Sequence, residues 1–257
     1  MISLNCLDLN PTGRPAVLLL HGLGADSRSW SLQIQPLIQA GFRPIAVDAP
    51  GFGASPYDRH GWRIPRVAGA MVGLLDELHI GRAHVVGLSM GGTIAQQMAL
   101  QAPEHVSSLV LVSTFARLRP DNLSGWIYFL SRLVLVFTLG LPAQARLVAR
   151  RVFPAGEDDT LRGMLVETIS RADPRAYRSA MLAMGSFNSL PRLAEIDLPT
   201  LVVSGEGDST VRPARQSQLA RGIPGARQVI IPAAGHAVPV DQPEAFNREL
   251  LSFFHYC

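Results

Sequence analysis

Short, continuous apolar runs constrain the fold of this chain more than any other feature. Four of them, apolar except for His84 and Ser108, lie at residues 16–20, 83–86, 108–112 and 201–203. An uninterrupted apolar run of this length is typical of a strand buried on both faces of a parallel sheet. Helical patterns such as residues 63–78 separate the runs. The sequence therefore predicts an α/β fold with a mostly parallel central sheet of about seven strands, flanked by helices.

The alternation of strands and helices stops between residues 115 and 193. This stretch is helical in pattern, poor in strands and repeatedly interrupted by proline, and the strand pattern resumes near residue 199. A helical insertion between two sheet strands is expected over the carboxyl ends of the strands, where ligands bind in such folds. We expect a core formed by residues 1–114 and 194–257, and a helical cap, or lid, formed by residues 115–193.

Composition excludes several classes of function. The chain has 257 residues and is 47% hydrophobic and 17% charged, enough to bury a sizeable core. A net charge of +3 is too small to indicate nucleic-acid binding. All 23 basic residues are arginine, which excludes chemistry that needs a lysine amine. The only cysteines, Cys6 and Cys257, show no metal-binding spacing.

The sequence predicts neither secretion nor membrane insertion. Residues 1–6 lack the basic and apolar pattern of a signal peptide, so a cytoplasmic location is expected. The most apolar stretch, residues 126–141, is interrupted by Arg132 and is shorter than a spanning helix of about 20 residues. We expect a small-molecule substrate as partner, and the sequence leaves the oligomeric state open.

One serine lies in a strand–turn–helix context that indicates nucleophilic chemistry. Ser89 is the centre of the G-x-S-x-G stretch at residues 87–91, after the apolar run at 83–86 and before a helix-forming run at 93–100. Glycines two residues before and after the serine allow a strand and a helix to approach closely. The hydroxyl would then be exposed above the sheet at a helix N-terminus. The stretch predicts a nucleophilic Ser89.

An acid and a base follow the serine at the expected places. Asp208 comes after the strand run at 201–203, and His236 follows the last strand pattern, at residues 228–231. The carboxyl ends of parallel strands meet at one edge of a sheet, so all three side chains should converge there. Glu206 is the competing carboxylate. The arrangement predicts a Ser89–His236–Asp208 triad.

These stretches together resemble the α/β-hydrolase superfamily over essentially the full chain. The resemblance is carried by residues 21–24 (HGLG), 48–55 (DAPGFGAS), 87–92 (GLSMGG), 205–208 (GEGD) and 235–236 (GH). It implies that Ser89 is the nucleophile, His236 the base and Asp208 the acid, with an oxyanion hole formed by the backbone N–H groups of Leu23 and Met90. It implies no metal or organic cofactor. Members often begin with a β-hairpin, but only about one strand's length precedes residue 16 here.

The resemblance leaves several reactions open. A serine at position 89, where dehalogenases and epoxide hydrolases have aspartate, favours hydrolysis of carboxylic esters with small to medium acyl chains. The chain is similar to carboxylesterases, 3-oxoadipate enol-lactonases and acyl-carrier ester hydrolases. Hydrolysis of a carbon–carbon bond in ring-fission products uses the same triad. A non-catalytic ligand-binding relative is a further alternative.

Two groups of residues in the expected cap and beside the base bear on the substrate. Apolar side chains are expected to line the pocket: Trp126, Phe129, Leu130, Leu133 and Val238. Arginines could instead meet a substrate carboxylate or an acidic carrier protein: Arg117, Arg119, Arg146, Arg150 and Arg151. The second possibility would suit an enol-lactonase or an acyl-carrier methyl ester hydrolase.

Overall fold

A seven-stranded sheet forms the centre of the protein. The structure, a computed structural model, describes residues 3–57, 60–118, 123–153 and 159–256. The strands are β1 (Cys6–Asp8), β2 (Ala16–Leu20), β3 (Arg43–Val47), β4 (Ala83–Leu88), β5 (Val106–Val112), β6 (Thr200–Gly205) and β7 (Arg227–Ile231). Their order across the sheet is β1-β3-β2-β4-β5-β6-β7. Among the strands in these described ranges, only β1 runs antiparallel, against β3, so the predicted mostly parallel sheet of about seven strands is confirmed.

Helices follow most of the strands, as the alternation predicts. They are α1 (Ser31–Gln39), α2 (Ile64–Glu77), α3 (Met90–Gln101), α4 (Leu123–Thr138), α5 (Leu141–Val152), α6 (Asp159–Arg171), α7 (Pro174–Ser186), α8 (Pro213–Gly222), α9 (Val238–Asp241) and α10 (Pro243–His255). In α2, apolar residues recur three and four positions apart, and this face is buried. None of the helices in the described ranges is long and apolar enough to cross a membrane.

The sheet separates two hydrophobic cores. Alternate residues of a strand point to opposite faces, and in β2 Leu18 packs with α2 and α3 while Leu19 packs with α1 and α10. Both side chains are completely buried. This two-sided burial explains why β2 is a continuous apolar run rather than an alternating one.

Helices α4 to α7 lie between β5 and β6 in the chain, and we call them the insert. They contribute to the larger core through residues such as Tyr177 and Ile169, which are fully buried. One face of α4 is exposed over its whole length, and its apolar residues there are Leu123, Trp126, Ile127, Leu130, Val134 and Phe137.

The first strand of the sheet is short. In the described part, β1 spans only Cys6–Asp8 and pairs with β3 through Cys6 and Val47 at one end. Cys6 is a partly buried free thiol, and Cys257 lies outside the described residues. The N-terminal segment therefore adds a single antiparallel edge strand where relatives often have a hairpin.

Candidate active site

Four loops at the carboxyl edge of the sheet bring the candidate residues together. Leu23 follows β2, Ser89 follows β4, Asp208 follows β6 and His236 follows β7. Leu23, Ser89 and His236 line one cavity of about 610 Å³. The residues converge because β2, β4, β5, β6 and β7 are parallel neighbours, so their carboxyl ends share one edge.

The backbone of Ser89 has a conformation that L-residues rarely adopt. Its φ is +52° and its ψ is −108°, which is costly for a residue with a Cβ atom. Two hydrogen bonds hold the turn: the Ser89 N–H donates to the carbonyl oxygen of Val112 at 2.9 Å, and the Thr114 hydroxyl donates to the Ser89 carbonyl at 2.7 Å. The tips of β4 and β5 thus fix the turn between strand and helix.

Glycine is required on both sides of this turn because backbone segments touch there. A Cβ atom on Gly91 would lie 2.1 Å from the carbonyl oxygen of Leu20, and a Cβ on Gly87 would lie 2.4 Å from the carbonyl carbon of Gly91. Both distances are far below van der Waals contact. The glycines therefore let α3 start directly against the ends of β2 and β4, which places Met90 at the first position of the helix.

His236 is held by a buried carboxylate. Its Nδ1 atom lies 3.0 Å from Oδ2 and 3.1 Å from Oδ1 of Asp208, whose side chain is fully buried. A carboxylate only accepts hydrogen bonds, so Nδ1 carries the ring proton and Nε2 is left as the basic nitrogen. The alternative acid, Glu206, is exposed to solvent, so the structure favours Asp208 as the partner of His236.

Further donors fix the orientation of Asp208. The backbone N–H groups of Thr210 and Val211 both donate to its Oδ1 at 2.8 Å. The side-chain amide of Gln216 donates to its Oδ2 at 3.2 Å and to the Val211 carbonyl oxygen at 2.7 Å. Gln216 is completely buried on α8 and was not recognised from the sequence. Its only sequence signal is its place in a helix that begins five residues after Asp208.

Ser89 and His236 face the same cavity without a direct bond. Among the residues that the structure describes, no hydrogen bond joins the Ser89 hydroxyl to the His236 ring. Catalytic hydrogen bonds in ligand-free structures are often long and tighten when substrate binds. Ser89 and His236 thus line one cavity, and the buried Asp208 lies behind the His236 ring.

Two backbone N–H groups adjoin Ser89. Met90 is the first residue of α3, so its N–H has no acceptor within the helix. Leu23 follows Gly22, whose Cα would carry a Cβ only 3.7 Å from the Ser89 Cβ. The loop after β2 therefore runs beside the serine. Both groups therefore lie close to Ser89 in the backbone.

His21 fixes the start of that loop. The Ala49 N–H donates to His21 Nε2 at 3.0 Å, so Nδ1 carries the ring proton and donates to the Gly22 carbonyl at 2.7 Å. Burial lowers the pKa of His21, which keeps the ring neutral and this pattern intact. His21 thus supports the loop that precedes Leu23.

Asp48 ties three neighbouring segments together. Its carboxylate accepts hydrogen bonds from the backbone N–H groups of Ser27 and Ala54 and from the side chain of Asn5. Burial by itself would raise the pKa of Asp48, but the bonds from Ala54 and Ser27 hold that pKa below its usual value. The group therefore stays ionised and has a structural role in the loops around the cavity.

The expected pocket residues divide into those inside and those outside the cavity. Phe129 lines the cavity. Trp126 and Leu130 point outward from α4, with 44% and 54% of each residue exposed, because they lie on the opposite side of the helix. Leu133 packs against the larger hydrophobic core, and Val238 is fully buried in the smaller one. The expectation that these four residues line the cavity is wrong.

The expected arginines divide in the same way. Arg117 and Arg151 line the cavity, whereas Arg146 and Arg150 are exposed elsewhere on the insert. Arg119 lies outside the described residues. Within the described ranges, no group of three or more histidine, cysteine, aspartate or glutamate side chains is arranged to hold a metal ion.

A family model described as alpha/beta hydrolase fold matches residues 15–243. The chain belongs to the α/β-hydrolase family, and it is an enzyme of the hydrolase class. The particular relatives differ in their substrates. A 2-hydroxy-6-oxononadienedioate/2-hydroxy-6-oxononatrienedioate hydrolase from Cupriavidus pinatubonensis is 31% identical over 97% of this chain and 90% of its own length.

Two solved structures add to the range of substrates among the relatives. The enol-lactonase from Burkholderia xenovorans LB400 is 28% identical and superposes with a TM-score of 0.89 over 99% of this chain and 96% of its own. A thermophilic esterase from Thermogutta terrifontis is also 28% identical, with a TM-score of 0.87 over 99% of this chain and 94% of its own. The family is therefore defined, while its members act on more than one class of bond.

Proposed function

We propose that the protein is a serine hydrolase that cleaves carboxylic esters of small to medium acyl chains. The observation that carries this proposal is the geometry around Ser89. A serine in a strained turn shares a cavity with His236, and the ring of His236 is oriented by the buried Asp208. A nucleophile, a base and an orienting acid are the parts that acyl transfer needs.

The reaction has two stages. In the first, Ser89 Oγ attacks the ester carbonyl carbon while His236 Nε2 takes the hydroxyl proton, and His236 then returns the proton to the departing alcohol. In the second, a water molecule loses a proton to His236 Nε2 and attacks the acyl-enzyme, and His236 returns that proton to Ser89 Oγ as the acyl bond breaks, which releases the carboxylic acid and regenerates the serine. Asp208 stabilises the positively charged ring in both stages.

The negative oxygen that forms during each attack needs donors. We assign this role to the backbone N–H groups of Leu23 and Met90, which adjoin Ser89. Each such donor contributes roughly 10²–10³ in rate when it is preorganised. The positions of these two backbone N–H groups do not depend on the leaving group, so the same oxyanion hole acts in both stages.

We assign the role of a cap to the helical insert. In this division, residues 1–114 and 194–257 form the catalytic core and residues 115–193 cover its cavity. The support is that Phe129 and Tyr128 of α4 and Val148 of α5 line the same cavity as Ser89. The cap would then supply the wall that distinguishes substrates.

Replacing the serine tests the proposal. Ser89→Ala is expected to abolish turnover of p-nitrophenyl butyrate and to abolish covalent labelling by a fluorophosphonate, measured as an added mass on the intact protein. Ser252→Ala is a matched control because Ser252 is exposed on α10 and should change neither readout. Full turnover or labelling of the Ser89→Ala protein would contradict the assignment.

A carboxylate-bearing lactone or ring-fission product is the second candidate substrate. The names of two relatives, an enol-lactonase and a dienedioate hydrolase, favour it, as do the cavity arginines Arg117 and Arg151. A panel of a neutral ester, an enol lactone and a dienone would rank these reactions by kcat/KM. Stoichiometric p-nitrophenol release without turnover would instead indicate a ligand-binding relative.

A further inference from the structure

The cavity over Ser89 has a strong excess of positive charge. Among the lining residues that the structure describes, seven are arginine and two are acidic. The arginines are Arg28, Arg117, Arg132, Arg151, Arg171, Arg212 and Arg215. Each of the two carboxylates already pairs with an arginine next to it: Asp26 with Arg28, and Glu167 with Arg171. These two carboxylates of the described cavity wall therefore do not balance the charges of Arg117, Arg132 and Arg151.

Two of these arginines share one aromatic ring. The guanidinium carbon of Arg151 lies 4.3 Å from the centre of the Tyr128 ring, and that of Arg132 lies 5.8 Å from it. All three residues line the cavity. We call this group the Arg132–Tyr128–Arg151 cluster. It spans α4 and α5 of the insert and places two cations on one wall.

Neutral groups hold both guanidinium groups in place. Arg132 Nη2 donates to the Tyr177 hydroxyl at 3.2 Å. The side-chain oxygen of Gln144, in the orientation that satisfies both groups, accepts from Arg132 Nε at 2.7 Å. Arg151 Nη2 donates to the Ser209 carbonyl oxygen. Neither arginine forms an ion pair with a carboxylate of the residues that the structure describes.

Part of this donor capacity is unused. The Nε atom of Arg151 is buried and has no hydrogen-bond partner in the described part of the chain. A buried N–H group without an acceptor is costly, and a guanidinium cannot avoid the cost by losing its proton. An acceptor supplied by a ligand would remove that cost. The planar guanidinium matches the two oxygens of a carboxylate.

We propose that the Arg132–Tyr128–Arg151 cluster is a carboxylate-binding subsite. The substrate is then an ester or lactone that carries a second, free carboxylate remote from the scissile carbonyl. This inference rests on the proposed function of Ser89. The apolar side chain of Phe129 also lines the cavity, and it suits the hydrocarbon segment that joins the two ends of such a substrate.

Matched substrates test the subsite. The mono-p-nitrophenyl esters of succinate, glutarate and adipate carry the second carboxylate, and p-nitrophenyl pentanoate is the neutral counterpart. The wild-type protein should prefer the best of the anionic esters. In Arg132→Gln, the ratio of kcat/KM for that ester to kcat/KM for the neutral ester should fall by about 10- to 100-fold, mainly through KM, because a hydrogen-bonded charge partner is lost.

Two more variants separate binding from general effects. Arg132→Lys keeps the charge without the planar fork and should recover part of the ratio. Arg171→Gln removes a cavity arginine that already pairs with Glu167 and should leave the ratio within about threefold. An equal loss for both esters in Arg132→Gln would mean a structural role. If the ratio fell equally in Arg171→Gln, the preference for anionic esters would come from the overall positive charge of the cavity and not from the cluster. Either result overturns the subsite.

A binding measurement keeps the subsite distinguishable from the catalytic proposal. Glutarate should raise the melting temperature of the Ser89→Ala protein in a concentration-dependent way, and should not raise that of Ser89→Ala/Arg132→Gln. If wild-type protein hydrolyses no ester but glutarate still stabilises it through Arg132, the proposed function fails and the subsite stands. If ester hydrolysis is normal and glutarate has no Arg132-dependent effect, the subsite is wrong.

Discussion

The strained backbone of Ser89 predicts an inverted order of stability between two substitutions. At most positions a protein with alanine is more stable than the same protein with glycine, because a glycine residue loses more backbone freedom on folding. Ser89 has a φ of +52° and a ψ of −108°, where a Cβ atom is unfavourable and glycine is not. We therefore expect Ser89→Gly to be more stable than Ser89→Ala.

The magnitude follows from two opposing contributions. Relief of the unusual backbone conformation contributes about 1–3 kcal/mol in favour of glycine. The greater conformational freedom of glycine in the unfolded chain contributes about 0.5–1 kcal/mol in favour of alanine. The expected difference in the free energy of unfolding is about 1 kcal/mol in favour of Ser89→Gly. For a chain of this length that is roughly 2–4 °C in melting temperature.

Urea unfolding followed by tryptophan fluorescence measures the difference. Trp30 and Trp62 are both buried and report the loss of packing. Gln218 is exposed on α8 and provides the matched control. There, Gln218→Ala should be more stable than Gln218→Gly by about 1 kcal/mol. If Ser89→Ala is also more stable than Ser89→Gly by that amount, the turn stores no strain and the reasoning is refuted.

Three further predictions concern neighbouring parts of the fold. Gly91→Ala should cost about 1–3 kcal/mol of stability, since its Cβ would meet the Leu20 carbonyl, whereas Gly73→Ala, with open space around it, should be neutral or stabilising in urea unfolding. Burial lowers the pKa of His84 from 6.5 to about 4. Protonation therefore favours the unfolded chain, and up to about 3 kcal/mol of stability should be lost as pH falls through that window. His84→Gln should flatten the slope of the unfolding free energy against pH between about pH 6.5 and 4. An unchanged slope would contradict this role of His84. Gln216→Leu should lower kcat for p-nitrophenyl butyrate about tenfold and leave KM little changed, because the amide orients the acid; an equal effect on KM would contradict this.

The sheet and the convergence of the candidate residues could be predicted because each depends on local patterns. A run such as Ala16–Leu20 is apolar at every position since both of its faces are buried. The carboxyl ends of parallel strands then determine where Ser89, Asp208 and His236 meet. Neither step needs the packing of individual side chains, and this is why the sequence was sufficient.

The cavity wall could not be predicted because it depends on which side of a helix faces inward. Helix α4 is apolar around most of its circumference, so its periodicity does not distinguish the inner face of Phe129 from the outer face of Trp126 and Leu130. At the other wall, Val238 is buried and Val240, two residues later, lines the cavity. Which of these side chains faces the cavity is determined by tertiary packing alone.

The position of the insert in the chain has a consequence for engineering. The proposed reacting groups lie in loops after β2, β4, β6 and β7, whereas the insert leaves the core after β5 and returns before β6. The insert is thus one contiguous piece of sequence that contains none of the proposed reacting groups, so it could be transplanted between relatives with two junctions. Several contacts cross the boundary, and one of them reaches the acid loop: Arg151 donates a hydrogen bond to the carbonyl oxygen of Ser209, the neighbour of Asp208. A transplanted insert would have to keep an arginine at that place for the acid loop to remain supported.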